Sequence, residues 1–84
     1  MTITYNDVLI LSAIKDAPAT VTNIGKMQRL TTANVSTRIF KFQQAGFVDY
    51  KINAKNRCEK FFSLTEIGER FLDDLKRFNW RDKD

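Results

Sequence analysis

The feature that most constrains this chain is a change of hydrophobic period at Gly46. Upstream, over residues 31–46, Val35, Ile39 and Phe42 recur at i, i+4 and i+7, which makes one apolar helix face. Thr31 suits the N-cap of such a helix and Gly46 suits its C-terminal stop. Downstream, Val48, Tyr50 and Ile52 alternate with Asp49 and Lys51, the pattern of a half-buried strand. Residues 53–57 then supply a polar turn with cations at its tip, and residues 58–64 return as a second strand with Phe62 and Leu64 on one face. A capped amphipathic helix running directly into a basic hairpin is the frame into which the rest of the chain has to fit.

The flanking segments fit it. Residues 5–17 are expected to form a first helix, capped by Thr4 or Asn6, with Asp7 at its positive end and Pro18 as its stop. Val8, Leu9, Ile10 and Leu11 are consecutive, so this helix is expected to be buried on two sides, one against the core and one against a partner subunit. Residues 19–21 read as an extended link or brief strand. Thr22 is the expected cap of a second helix over 23–29, with Ile24 and Met27 turned inward. Two short helices joined by a three-residue turn make a helix-turn-helix. Thr65 is the expected cap of the last helix, with Glu66 and Glu69 in its first turn and a stripe of Ile67, Phe71, Leu72, Leu75 and Phe78. The fold class is therefore α+β, mostly α. A single domain over 1–84 comprises a first helix, a helix-turn-helix at about 22–46, a two-stranded wing at about 47–64 and a terminal helix at about 65–80.

Charge points to a partner. The net charge is +4, but residues 22–62 alone carry eight Lys/Arg against Asp49 and Glu59, and each flank is slightly acidic. A positive field confined to the middle of the chain is the footprint of an anionic polymer. Enzyme classes are disfavoured, because histidine is absent and no glycine-rich phosphate loop is present. One cysteine, Cys58, makes neither a zinc cluster nor an internal disulfide, so no metal and no cofactor are expected and a reducing, cytoplasmic setting is. A buried structural role is the expectation for Cys58. No apolar run approaches the roughly 20 residues of a membrane span, and no signal peptide is recognisable.

By Gly46 the order of elements resembles winged-helix transcription regulators of the MarR, PadR and ArsR kind. Residues 35–39, Val-Ser-Thr-Arg-Ile, through Phe42 to Ala45-Gly46-Phe47-Val48 look like their recognition helix running into the first wing strand. Leu64-Thr65-Glu66-Ile67-Gly68 resembles the "LTexG" that joins the second wing strand to the last helix. The match covers roughly residues 20–72. Three departures stand out. Gln28 replaces a customary leucine, and the wing tip keeps Arg57 but lacks the aspartate of the MarR Asp-x-Arg pattern. The sequence also carries one terminal helix where MarR proteins have further dimerisation helices, so a dimer is expected to use the first and last helices.

The resemblance implies a sequence-specific double-stranded DNA-binding protein, a homodimeric transcriptional regulator, with a repressor favoured over an activator. Asn34 and Arg38 are the candidates for bidentate base contacts. Thr31, Thr32, Ser36, Thr37 and Lys41, with Lys26 from the preceding helix, are the candidates for phosphate contacts. Lys55, Asn56 and Arg57 are expected to place the wing tip on the backbone or in the minor groove. Leu9, Ile10, Phe71, Leu75 and Phe78 are the expected subunit contacts. Two other readings use the same surface, a winged helix that binds an acidic protein partner and an architectural or partition protein. Phe40 lies about 140° around the helix from Val35, away from the core stripe, and no sequence argument places it.

Overall fold

A computed structural model describes residues 3–77. The elements run α1 (Tyr5–Ala13), α2 (Val21–Gln28), α3 (Thr32–Gln44), β1 (Val48–Ile52), β2 (Lys60–Leu64) and α4 (Glu66–Arg77). Four helices with a two-stranded antiparallel hairpin form the winged helix-turn-helix that the sequence pattern predicts. Phe78 lies outside the described residues.

Every helix starts on a threonine. The hydroxyls of Thr4, Thr20, Thr31 and Thr65 accept hydrogen bonds from the backbone N–H groups of Asp7, Asn23, Asn34 and Gly68, at 3.4, 3.1, 3.1 and 3.0 Å. Each cap satisfies an otherwise orphaned donor and is worth about 1 kcal/mol. At Thr4 the arrangement is a full capping box, because the Asp7 carboxylate accepts from the Thr4 N–H in return at 2.9 Å.

Two boundaries differ from the sequence expectation. The first helix ends at Ala13, after which bonds from Ile14 to Leu11 and from Lys15 to Ser12 tighten the chain into turns ahead of Pro18. The residue before a proline is sterically barred from the helical region, so the helix ends upstream. The second helix starts at Val21 with Thr20, not Thr22, as its cap. Ala19 and Phe62 exchange both backbone hydrogen bonds, at 3.0 and 2.8 Å, a single-residue bridge where an extended link or brief strand is expected over 19–21. That bridge fixes the chain just before Thr20, so the helix begins at once. Its inward positions are Ile24 and Gln28 rather than Met27, which is 57% exposed. Gln28 donates from Nε2 to the Leu9 carbonyl at 2.8 Å, a polar tie between α2 and α1 where a leucine would only pack.

The core is assembled from α1, α2, α3, α4 and the base of the hairpin. Ile10, Leu11, Ile14, Ile24, Val35, Ile39, Phe42 and Leu72 are essentially inaccessible, and Val48 and Phe62 close it from the wing. The helix α1 packs against α2, α3 and α4 at once. Its two-sided apolarity is thus used up within one chain, so Ile10 and Leu75, expected at a subunit contact, belong to the monomer core. On the hairpin, Val48 pairs with Leu64 and Tyr50 with Phe62. Only Val48 of β1 is buried, because the strand runs out beyond the helices, and Ile52, expected on a buried face, is 54% exposed.

The junction between α3, the wing and α4 is close-packed. The helix α3 ends in a Schellman turn: Gly46 takes φ +85°, and Phe47 and Gly46 donate to the Phe42 and Gln43 carbonyls at 2.9 and 3.1 Å. Thr65 then donates its N–H to the Phe47 carbonyl at 3.0 Å and its hydroxyl to the Gly46 carbonyl at 2.7 Å. A Cβ at Gly68 would collide with the same Phe47 carbonyl, so only glycine lets the first turn of α4 sit there. The Phe47 and Phe71 rings stack with centroids 4.2 Å apart. Gly68→Ala is expected to destabilise the fold by at least about 1–3 kcal/mol, since the obstructing atom is backbone and cannot swing away. Urea denaturation of the two proteins measures this, and an unchanged midpoint would contradict it.

Candidate nucleic-acid interface

The helix α3 buries Val35, Ile39 and Phe42 and turns the opposite side to solvent. Thr31, Thr32, Ala33, Ser36, Thr37, Phe40 and Lys41 are all exposed, while Asn34 and Arg38 are half-buried on the flank nearest α1. A shallow open hollow of about 400 Å³ is lined by Ala33, Asn34, Thr37, Arg38 and Lys41.

The flank carries a polar network that the sequence did not reveal. Arg38 donates from Nη1 to Asp7 Oδ1 at 2.8 Å and from Nε to Asn34 Oδ1 at 2.7 Å. The Asp7 side chain is 3% exposed and its other oxygen accepts from Thr4, so the carboxylate is buried with both oxygens occupied. A buried carboxylate must be charge-compensated, and Arg38 is the group that does it. Arg38 therefore positions α3 against α1 through Nη1 and Nε, while its Nη2 group takes part in neither bond and the side chain is 28% exposed at the hollow. Asn34 Oδ1 accepts one bond from Arg38, which leaves it one further lone pair beside both amide N–H donors. Thr37 donates its hydroxyl to the Ala33 carbonyl at 3.0 Å, which leaves it as an acceptor only.

The cations are distributed at the ends of the helix-turn-helix and along the hairpin. Lys26, Arg29, Lys41, Lys51, Lys55, Arg57 and Lys60 are all exposed, and Lys60 sits 4.7 Å above the Tyr50 ring. Lys51 and Lys60 face Phe61 and Ile52 across the hairpin, not Asp49 or Glu59. At the wing tip the turn is tied by asparagines. Asn53 Oδ1 and Asn56 Oδ1 accept from the N–H groups of Lys55 and Cys58 at 3.0 and 3.1 Å, and Asn53 Nδ2 donates to Glu59 at 2.6 Å. These Asx turns hold Lys55 and Arg57 out in water. Asn56 is exposed, but its side-chain oxygen is used within the turn. Cys58, expected to be buried, is exposed because it lies in this turn rather than on a strand.

Arg29 is the residue that sequence reasoning passed over. It occupies the turn of the helix-turn-helix with φ 60° and ψ 44°, left-handed backbone that costs a non-glycine residue about 1–2 kcal/mol. Its available signal was its charge between Lys26 and the α3 cap. Of the expected subunit contacts outside the core, Leu9 and Phe71 are half-buried. Among the described residues no three His, Cys, Asp or Glu side chains converge as metal ligands, and no helix is long and apolar enough to cross a membrane.

A basic, helix-presenting hairpin fold of this kind defines the winged helix-turn-helix class. No protein-family model and no curated protein matches the sequence. Solved structures do share the fold, among them MarR-family winged-helix transcriptional regulators. The adhesin competence repressor AdcR from Streptococcus pyogenes superposes with a TM-score of 0.83 at 17% identity, over 93% of this chain and 57% of that one. FabT from Streptococcus pneumoniae, solved in complex with DNA, gives 0.79 at 22% identity, over 92% and 55%. A mutant MarR from E. coli gives 0.80 at 18% identity, over 86% and 54%. The chain spans little more than half the length of these structures. At such identities the shared property is the fold.

The Asp7–Arg38 assignment has a direct test. Arg38→Met is expected to cost about 2 kcal/mol, more than a surface substitution, because it strands a buried carboxylate. In a double-mutant cycle with Asp7→Asn, a coupling of roughly 0.5–3 kcal/mol is expected from denaturant midpoints, and additive losses would contradict the pairing.

Proposed function

We propose that this protein is a sequence-specific double-stranded DNA-binding regulator of transcription, acting as a homodimer and repressing by occupancy. The observation that carries the reading is α3 itself. It is a capped helix whose outward side is free of core contacts, set in a winged-helix frame between cations of the helix-turn-helix turn and cations of the hairpin tip. The fold neighbours include a repressor and a DNA complex, which is consistent with it.

In this reading α3 enters the major groove. Ser36, the Asn34 amide and Lys41 are its free donors toward base edges and phosphates, with Thr31 and Thr32 at its N-terminal end. Lys26 and Arg29 approach the backbone from the helix-turn-helix turn. Lys55 and Arg57 do so from the wing, with Asn56 supporting the turn. Arg38, held through Nη1 and Nε, offers Nη2 to a base or a phosphate. Two copies would set their recognition helices about 34 Å apart on a pseudo-palindromic site. Leu9, Phe71 and Phe78 remain the candidates for the subunit contact, and sedimentation at rising concentration without DNA reports that dimer.

Salt dependence is the decisive measurement. Affinity for duplex DNA should fall steeply with ionic strength, and removing one phosphate-contacting cation should flatten the log–log slope by about one. Lys55→Ala and Arg57→Ala are each expected to do so with nearly equal loss on all duplex sequences. Binding that is absent at low salt, or indifferent to it, would refute the reading.

Arg29→Gly separates stability from function. Relief of the left-handed backbone, less the added chain entropy of glycine, should stabilise the fold by roughly 0.5–1 kcal/mol. The same substitution should weaken duplex binding and lower the salt slope. A variant that is more stable and binds unchanged would remove Arg29 from the interface.

A further inference from the structure

We propose that Phe40 is a specificity residue that reads the C5-methyl group of thymine in the major groove, an assignment that rests on the DNA-binding reading above. Phe40 is 58% exposed on the outward side of α3, about 140° around the helix from Val35. A single exposed phenyl ring on a protein surface needs no explanation in general. This one is set apart by what surrounds it. Its neighbours one turn away along the helix are the polar side chains of Ser36, Thr37, Gln43 and Gln44, so the ring stands as the one large apolar group among them. The exposed Ala33 methyl group, about 20° from Phe40 around the helix, is the other apolar group on this side. Lys41 lies beside them and supplies attraction to an anionic backbone.

The chemistry of the groove selects the partner. Base edges in the major groove present hydrogen-bonding atoms with one apolar exception, the methyl group of thymine, and alanine and phenylalanine side chains make contact with it. Ala33 and Phe40 stand seven residues apart on the same side of the helix, about 10 Å along its axis. At about 3.4 Å per base-pair step, their contacts fall roughly three base pairs apart. The half-site is thus expected to carry thymine at the position facing Phe40, with a second thymine about three base pairs away facing Ala33.

The test uses the full chain and a duplex obtained by selection for binding. Each thymine is replaced in turn by deoxyuridine, which removes the methyl group and leaves base pairing intact. The wild-type protein is expected to lose about fourfold in affinity at one position, the value of one buried methyl group. Phe40→Ala, at an exposed site and checked by its melting temperature, should bind the thymine and uracil forms of that position equally while keeping the wild-type salt slope. Phe40→Leu should retain part of the preference. The assignment is overturned if the wild type ignores uracil at every position, or if Phe40→Ala preserves the same thymine-to-uracil ratio. Salt-dependent duplex binding with either of those results removes Phe40 alone. No salt-dependent binding by the wild type removes the DNA reading together with it.

Discussion

The arrangement depends on how the Phe47 carbonyl is shared. It accepts the N–H of Thr65 and abuts the backbone of Gly68, while the ring of the same residue stacks on Phe71. The end of α3, the root of the wing and the start of α4 are thereby joined at one peptide. A lone two-stranded hairpin is at best marginally stable in water, so the wing needs this anchorage to hold a direction. Its outer half is exposed, and its support comes from Val48 and Phe62 at its base and from the bridge to Ala19. The geometry relating α3 to the wing tip is set at this junction rather than within the hairpin.

A second constraint sets the pose of α3. Asp7 serves twice, closing the capping box of α1 and compensating Arg38 on α3. A buried ion pair seldom adds much net stability over apolar packing, but removing one partner is costly. Its effect here is to make one orientation of α3 against α1 distinct from its neighbours. Two of the Arg38 donors and one lone pair of the Asn34 oxygen are thereby engaged within the protein, which fixes where the remaining Nη2 group points from α3.

Much of this was legible in the chain. The threonine caps of α3 and α4, the Schellman glycine, the change of period at Gly46 and the basic hairpin are local, governed by residues within a few positions of one another. The two segments that resemble the MarR-like pattern, 45–48 and 64–68, were also readable. The fold explains why they occur together, because they touch through Phe47, Thr65 and Gly68. The errors are of one kind. Spacing alone puts Met27 and Ile52 on buried faces, Cys58 in the interior and Ile10 and Leu75 at a partner, and it gives no sign of the Asp7–Arg38 pair. Each depends on which distant element lies alongside, and periodicity carries no such information.

By itself the sequence determined the kinds and order of the elements, where α3 and α4 begin, and the placement of positive charge in the middle half. Those follow from capping chemistry, backbone preference and amphipathic spacing, all short-range. Only the tertiary structure decided what each side chain is free to do. Asp7 and Arg38 are 31 residues apart, and nothing local marks them as a pair. Their contact exists because α1 lies at the centre of the domain, where a buried carboxylate must find a cation. That requirement makes an arginine on a polar helix face part of the scaffold that orients α3.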